Sequence, residues 1–157
     1  MKQLARRTAL IGLLVLSLSS CGNSFSGKCV GVSDGDTIKV LRSGQAVKIR
    51  LYGVDCPEMG QDFGRKARRF TSNMVFGKTV EIRPVDVDQY GRTVAWVSVD
   101  GKSLNRELVA AGLAWWYKHY APRDKDLAEL ERRARKHNTG LWFQPDPVPP
   151  WEFRHKK

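Results

Sequence analysis

The chain has 157 residues, with 27 Lys and Arg against 16 Asp and Glu, for a formal net charge of +11. At 41% apolar, 10% aromatic and 27% charged residues it is neither disordered, collagen-like nor polytopic, and three cysteines are too few for a disulfide scaffold and lack zinc-site spacing. The positive excess calls for a polyanionic partner, either nucleic acid or an acidic membrane surface, and charge alone does not separate the two.

Residues 1–20 read as a signal peptide. Lys2, Arg6 and Arg7 precede the apolar run Thr8–Leu18, then Ser19 and Ser20 precede Cys21. The run is shorter than the roughly 20 apolar residues of a spanning helix. Leu18-Ser19-Ser20-Cys21 resembles a bacterial lipobox, which predicts lipidation of Cys21 and a short tether over residues 21–27. The expected location is then the cell envelope, extracytoplasmic and lipid-anchored to a membrane through Cys21. The other reading is an ordinary signal peptide with an incidental cysteine. Disulfides persist outside the cytoplasm. Cys29 and Cys56 are therefore either a bridge, stabilising by roughly 3–4 kcal/mol, or two buried free thiols.

Lys28–Val32, Thr37–Leu41 and Ala46–Tyr52 are β-rich runs separated by Asp34-Gly35 and Ser43-Gly44, which predicts a meander with tight turns. Gln61–Phe76 has helical spacing through Phe63, Ala67, Phe70, Met74 and Val75. Thr79–Val85 and Thr93–Val99 return to strand patterning around the turn Asp88–Arg92. Ser103 caps a helix running to Ala111 and ended by Gly112, and Asp124–His137 is a third amphipathic helix. The tail from Gln144 holds four of the seven prolines and is expected to be extended. The fold class is α+β, mainly β: a five-stranded OB-type barrel with three helices over residues 28–143, then a Pro-rich basic tail over 144–157. An SH3-like barrel explains the strands but leaves the helices without a docking site.

Three segments carry candidate chemistry: Asp34-Gly35-Asp36-Thr37, Arg50-Leu51-Tyr52-Gly53-Val54-Asp55-Cys56-Pro57-Glu58, and Asp88-Gln89-Tyr90-Gly91-Arg92. Each alone is also an ordinary turn or strand end. Together they supply oxygen ligands for a hard cation, a separate glutamate and two arginines, which is what phosphodiester cleavage requires. The substrate is anionic and its transition state more so. A divalent cation polarises the phosphoryl oxygen, guanidiniums match phosphate oxygens in pairs, and a carboxylate activates water. No Cys-His or Ser-His pairing lies near these segments, and His119, His137 and His155 read as surface residues.

The order Asp-Gly-Asp-Thr, Arg-Leu-x-Gly-Val-Asp-x-Pro-Glu and Tyr-Gly-Arg resembles the staphylococcal nuclease (thermonuclease) family, with similarity from about Cys29 to Trp142. The resemblance implies an OB-type barrel that uses Ca2+ to hydrolyse DNA and RNA by attack of water at phosphorus, leaving 3′-phosphate ends. Asp36 and Asp55 would be carboxylate ligands of the calcium and the main-chain carbonyl of Cys56 a third. Glu58 would be the general base or water-positioning group, and Arg50 and Arg92 would grip the scissile phosphate. Asp34 falls at an outer carboxylate, and Tyr90 and Tyr120 fall near the nucleotide pocket. Cys56 replaces a threonine of the type member, and Lys118 stands where it places a pocket tyrosine. The implied partner is single-stranded or locally opened DNA, or RNA, bound by a monomer. The alternative is a catalytically inactive nucleic-acid-binding OB module, which should show a broken acid or arginine set.

Overall fold

The computed structural model describes residues 23–155, so Cys21 and the signal segment lie outside the described residues. Strands β1 (Phe25–Asp34), β2 (Thr37–Arg42) and β3 (Gln45–Leu51) form the expected antiparallel meander. β1 is longer than its apolar pattern suggested. Phe25–Lys28, part of which reads in sequence as tether, pairs with Ile82–Thr79 of β5 (Thr79–Val87). The strand serves two neighbours because its register slips twice, between Cys29 and Gly31 and between Val32 and Asp34. Such bulges add twist and let a strand bend from one partner to the next.

β5 pairs antiparallel with β6 (Thr93–Val99), and β6 returns parallel to β3 at Ile49↔Thr93, Arg50↔Val94 and Leu51↔Ala95. That last pairing closes the five-stranded barrel and leaves the α+β, mainly β class and the OB-type architecture as expected from the sequence. Its interior is filled by Cys29, Ile38, Val40, Ile49, Leu51, Val80, Ile82, Ala95 and Val97, all buried. A short β7 (Lys102–Ser103) extends the sheet beyond β6.

Helix α1 (Gly64–Val75) covers the barrel with Ala67, Thr71 and Val75. It begins three residues later than its periodicity predicts. Gln61 is spent in a turn instead, its Oε1 accepting from the Glu58 N–H at 2.9 Å while its own N–H donates to the Glu58 carbonyl at 2.8 Å. Gly64 packs directly on that turn, since a Cβ there would overlap the Glu58 carbonyl. Helix α2 (Leu104–Ala110) starts at Ser103, and α3 (Lys125–Lys136) at Asp124, whose carboxylate accepts from the Leu127 N–H at 2.9 Å. Both caps are the residue types that satisfy first-turn N–H groups.

Two features escape the sequence pattern. Val54–Asp55 (β4) pairs antiparallel with Trp115–Trp116 (β8), a ribbon of two residues a side that sets Asp55 opposite Trp115. The tail is also not extended throughout. After a 3-10 turn at Gly140–Phe143, the chain forms helix α4 (Pro150–His155), a fourth helix beyond the three expected. Pro150 suits the first helical position, where no N–H is needed. Trp115, Ala134, Leu141 and Trp142 form a second small core beneath this segment, with Phe63 and Trp151 packed against it.

Asn105 is fully buried on α2 and ties helix to barrel. It accepts from the Val97 N–H at 3.0 Å and donates to the carbonyls of Tyr52 at 2.9 Å and Ala95 at 3.2 Å. Replacing it with leucine keeps the volume and orphans a buried donor. The expected loss is about 3 kcal/mol in urea unfolding, and an unchanged unfolding midpoint would show that this network adds nothing.

Candidate active site

Asp36 lies in the Gly35-Asp36 turn that joins β1 to β2, where its N–H donates to Asp34 Oδ1 at 3.1 Å. Gly35 leaves the turn bare of side chain, and a Cβ there would collide with Cys56 and Ala67. The β2–β3 register pairs Thr37 with Arg50, which brings the Arg50 guanidinium to the start of β2. Arg50 Nη1 lies 3.2 Å from Asp36 Oδ2, and its Nη2 donates to Asp55 Oδ1 at 2.9 Å. Nη1 also donates to the carbonyls of Val54 at 2.9 Å and Leu51 at 3.1 Å. One guanidinium therefore spans two carboxylates that are 6% and 1% exposed.

Cys56 completes the cluster through its backbone, its N–H donating to Asp36 Oδ2 at 2.6 Å. Its thiol is buried and pushed up by burial and by the neighbouring Asp36 charge, so it stays neutral. The anticipated Cys29–Cys56 disulfide does not form: both are buried free thiols. Cys29 points into the barrel and its thiol donates to the Gly31 carbonyl at 3.5 Å, while Cys56 packs on the Gly35 turn. Of the two sequence readings, the buried-thiol one describes the structure, because each sulfur fills its own apolar gap.

A third arginine joins from the tail. Arg154 Nη2 donates to Asp55 Oδ2 at 2.9 Å, and its Nη1 donates to Glu58 Oε1 at 2.9 Å and to Asp55 Oδ1 at 3.3 Å. The tail behind it is fastened to the loop after β4, with Gln61 Nε2 donating to the Val148 carbonyl at 3.0 Å and Gln144 Nε2 to Asp62 Oδ2 at 2.8 Å. Sequence reasoning missed Arg154, although Trp151 and Arg154 stand three residues apart in the tail.

Arg92 is placed on the β5–β6 turn, one residue ahead of the β3–β6 pairing that contains Arg50. Its partner is Asp88, reached by Nε at 2.6 Å. Burial works to raise the Asp88 carboxyl, but hydrogen bonds from Arg92 and the Tyr90 N–H hold it below the usual carboxylate range. Arg92 thus has a fixed position on the turn, where its ion pair is with Asp88. Tyr90 and Tyr120 are 75% and 61% exposed, at separate loops, and Tyr52 donates to the Tyr120 carbonyl at 3.1 Å. Beside Tyr120 the structure adds Tyr117, edge-on at 4.9 Å and stacked nearly parallel on Trp151 at 5.3 Å.

Among the described residues, four carboxylates gather beside two cations: Arg50 pairs with Asp36 and Asp55, Arg154 pairs with Asp55 and Glu58, and Asp34 accepts from the Asp36 N–H. The shortfall registers in the carboxyl groups. Burial, then the Asp36 charge, pushes Asp34 up to about 7. Burial also raises Asp55, against the opposing pull of Arg154 and Arg50. A divalent cation matches that deficit in charge, and the oxygen donors of Asp36 and Asp55 suit a hard ion. Among the described residues no cluster of three or more His, Cys, Asp or Glu side chains forms a metal site. A cation here would have two carboxylates, with the Cys56 carbonyl and water supplying the rest.

Residues 48–144 match the family described as staphylococcal nuclease homologue. A protein of Escherichia coli O157:H7 named as an uncharacterized endonuclease is 45% identical over 132 residues, covering 83% of this chain and 86% of its own. A micrococcal nuclease of Shigella flexneri is 35% identical over 159 residues, covering 95% of this chain and 91% of its own. An uncharacterized endonuclease of Haemophilus influenzae is 33% identical over 156 residues, covering 97% of this chain and 87% of its own. Matches of this length and identity, on a barrel that gathers Asp36, Arg50, Asp55 and Glu58, show that the chain belongs to the staphylococcal nuclease family.

Proposed function

We propose that this nuclease is a calcium-dependent phosphodiesterase that cleaves DNA and RNA by attack of water at phosphorus, leaving 3′-phosphate ends. The observation that carries the reading is the buried Asp36–Arg50–Asp55 contact with Glu58 beside it, where carboxylates outnumber cations. The cation would be held by Asp36, Asp55 and the Cys56 carbonyl, and when bound it supplies polarisation of the phosphoryl oxygen.

The protein's own groups divide the remaining work. Glu58 is accessible to solvent where Asp55 is not, so it is the carboxylate able to orient a water and take its proton. Arg50 is locked in place by two backbone carbonyls and two acids, so it meets an incoming phosphate without reorganising. Arg92 uses Nε for Asp88, which leaves its terminal nitrogens for a second phosphate oxygen. Tyr90 and Tyr120 offer exposed rings on which a nucleobase can rest. An inactive binding module is the weaker reading, because every member of the acid and arginine set is present.

Plasmid, single-stranded DNA and RNA digested with Ca2+ and then with excess chelator test the proposal. Cleavage should require Ca2+ at about 10⁻⁴–10⁻³ M, and full activity in chelator would overturn the calcium assignment. Glu58→Gln should slow turnover at least about 10²-fold with substrate binding kept. Arg50→Lys should lose about 3 kcal/mol of transition-state stabilisation, close to the alanine variant, because one ammonium does not span both acids and a phosphate. Near wild-type rates for the lysine variant would reduce Arg50 to a substrate attractor. For location, we propose lipid anchoring at Cys21 on the strength of Leu18-Ser19-Ser20-Cys21. Cys21→Ser should then yield unlipidated protein, and an unlipidated wild type would refute it.

A further inference from the structure

We propose that helix α4 is a displaceable plug of the metal site, in which Arg154 holds Asp55 and Glu58 and competes with the divalent ion for them. The inference rests on the cation-dependent reading above and adds a regulatory part to it.

The placement of Arg154 is built from several contacts. In a helix, residues three apart share a face, so Trp151 and Arg154 are presented together. Trp151 stacks nearly parallel on Tyr117 at 5.3 Å and meets Trp115 edge-on at 5.5 Å. Trp115 is paired with Asp55 across the β4–β8 ribbon. The aromatic anchor is therefore next to the acid that Arg154 grips, and the two contacts hold the helix in one orientation.

The grip occupies ligand positions. Asp55 Oδ2 is committed to Arg154, and Oδ1 is shared between Arg50 and Arg154. Glu58 Oε1, the oxygen expected to handle water, is bonded to the same guanidinium. A divalent ion approaching Asp55 meets both an occupied carboxylate and a like charge. Cation binding and the closed plug thus compete at Asp55, and the apparent affinity is reduced according to the fraction of molecules in which the plug is open.

The plug is also suited to leave. The Arg154 side chain is 42% exposed, and an open cavity of about 320 Å3 lies beside the tail, lined by Gln61, Val148 and Phe153 among others. Solvent access to the Arg154 ion pairs weakens the hold of the arginine on the carboxylates. Trp151 and Arg154 also lie beyond residues 48–144, the stretch that matches the family.

The test is calorimetric titration of the full chain with CaCl2, without nucleic acid, beside thermal melts in chelator. Arg154→Gln should bind Ca2+ about tenfold more tightly than wild type and melt earlier in chelator. Trp151→Ala, which keeps the arginine but removes its anchor, should shift affinity in the same direction by less. Arg154→Lys should fall between wild type and glutamine. Unchanged or weaker Ca2+ binding by Arg154→Gln, with wild type binding normally, overturns the plug and leaves the calcium reading intact. Weaker binding together with a lower kcat/KM at saturating Ca2+ would assign Arg154 to phosphate contact instead, which also overturns it. Absence of Ca2+ binding by wild type and every variant overturns the calcium reading and the plug with it.

Discussion

Asp36 and Asp55 carry like charges, are almost fully buried, and share the side chain of Arg50. Removing two carboxylates from water is costly, and their mutual repulsion adds to the cost unless positive charge is supplied at the same point. Arg50 meets part of that demand, and its own charge is stabilised in turn. Burial disfavours its cationic form, yet the surrounding acids outweigh that and raise its affinity for the proton. The two backbone carbonyls it also binds make this arginine part of the wall of the site. Each of the two acids therefore keeps the arginine as a partner, and loss of the arginine would leave buried charge uncompensated.

The topology explains how they are installed. Asp36 comes from the turn before β2 and Arg50 from the adjacent β3, Asp55 from the residues just after β3, and the parallel return of β6 brings the Arg92 turn to the same end of the barrel. At Gly35 and Gly64 the chain packs too closely around the site to admit a side chain. The first lets Cys56 and Ala67 pack against the turn that carries Asp36, and the second seats α1 on the loop that carries Glu58. The site is therefore held by rigid strands on one side and by a helix start on the other. Preorganised donors of this kind need no rearrangement as charge develops.

The remaining charge deficit is met in part by the tail. Any positive group that reaches Asp55 and Glu58 relieves the same repulsion, whether it is a divalent ion or a guanidinium. Arg154 answers that demand from within the chain, and its charge is stabilised by Asp55 and Glu58 as theirs is by it. The aromatic contacts of Trp151 set the distance over which it acts. A basic tail on a nuclease thus has two available uses, attraction of a polyanion at long range and occupation of the acid cluster at short range.

The barrel strands, the three longer helices and the Ser103 cap were legible in the sequence because local rules govern them: alternation for strands, 3.6-residue spacing for helices and a capping hydroxyl at a helix start, although the start of α1 was not. The acid and arginine residues were legible as ordered motifs. Only the tertiary structure decided what those motifs touch. That Arg50 bridges Asp36 and Asp55 depends on the β2–β3 register. That Cys29 and Cys56 stay apart depends on their filling different parts of the core. The β4–β8 ribbon is too short to leave a pattern, and its partner lies sixty residues on. The tail shows why composition misleads: its prolines argue for extension up to Pro150, yet a proline at the first helical position is free to start a turn. Arg154 was one basic residue among many in sequence, and distance to Asp55, which no local pattern encodes, made it part of the site.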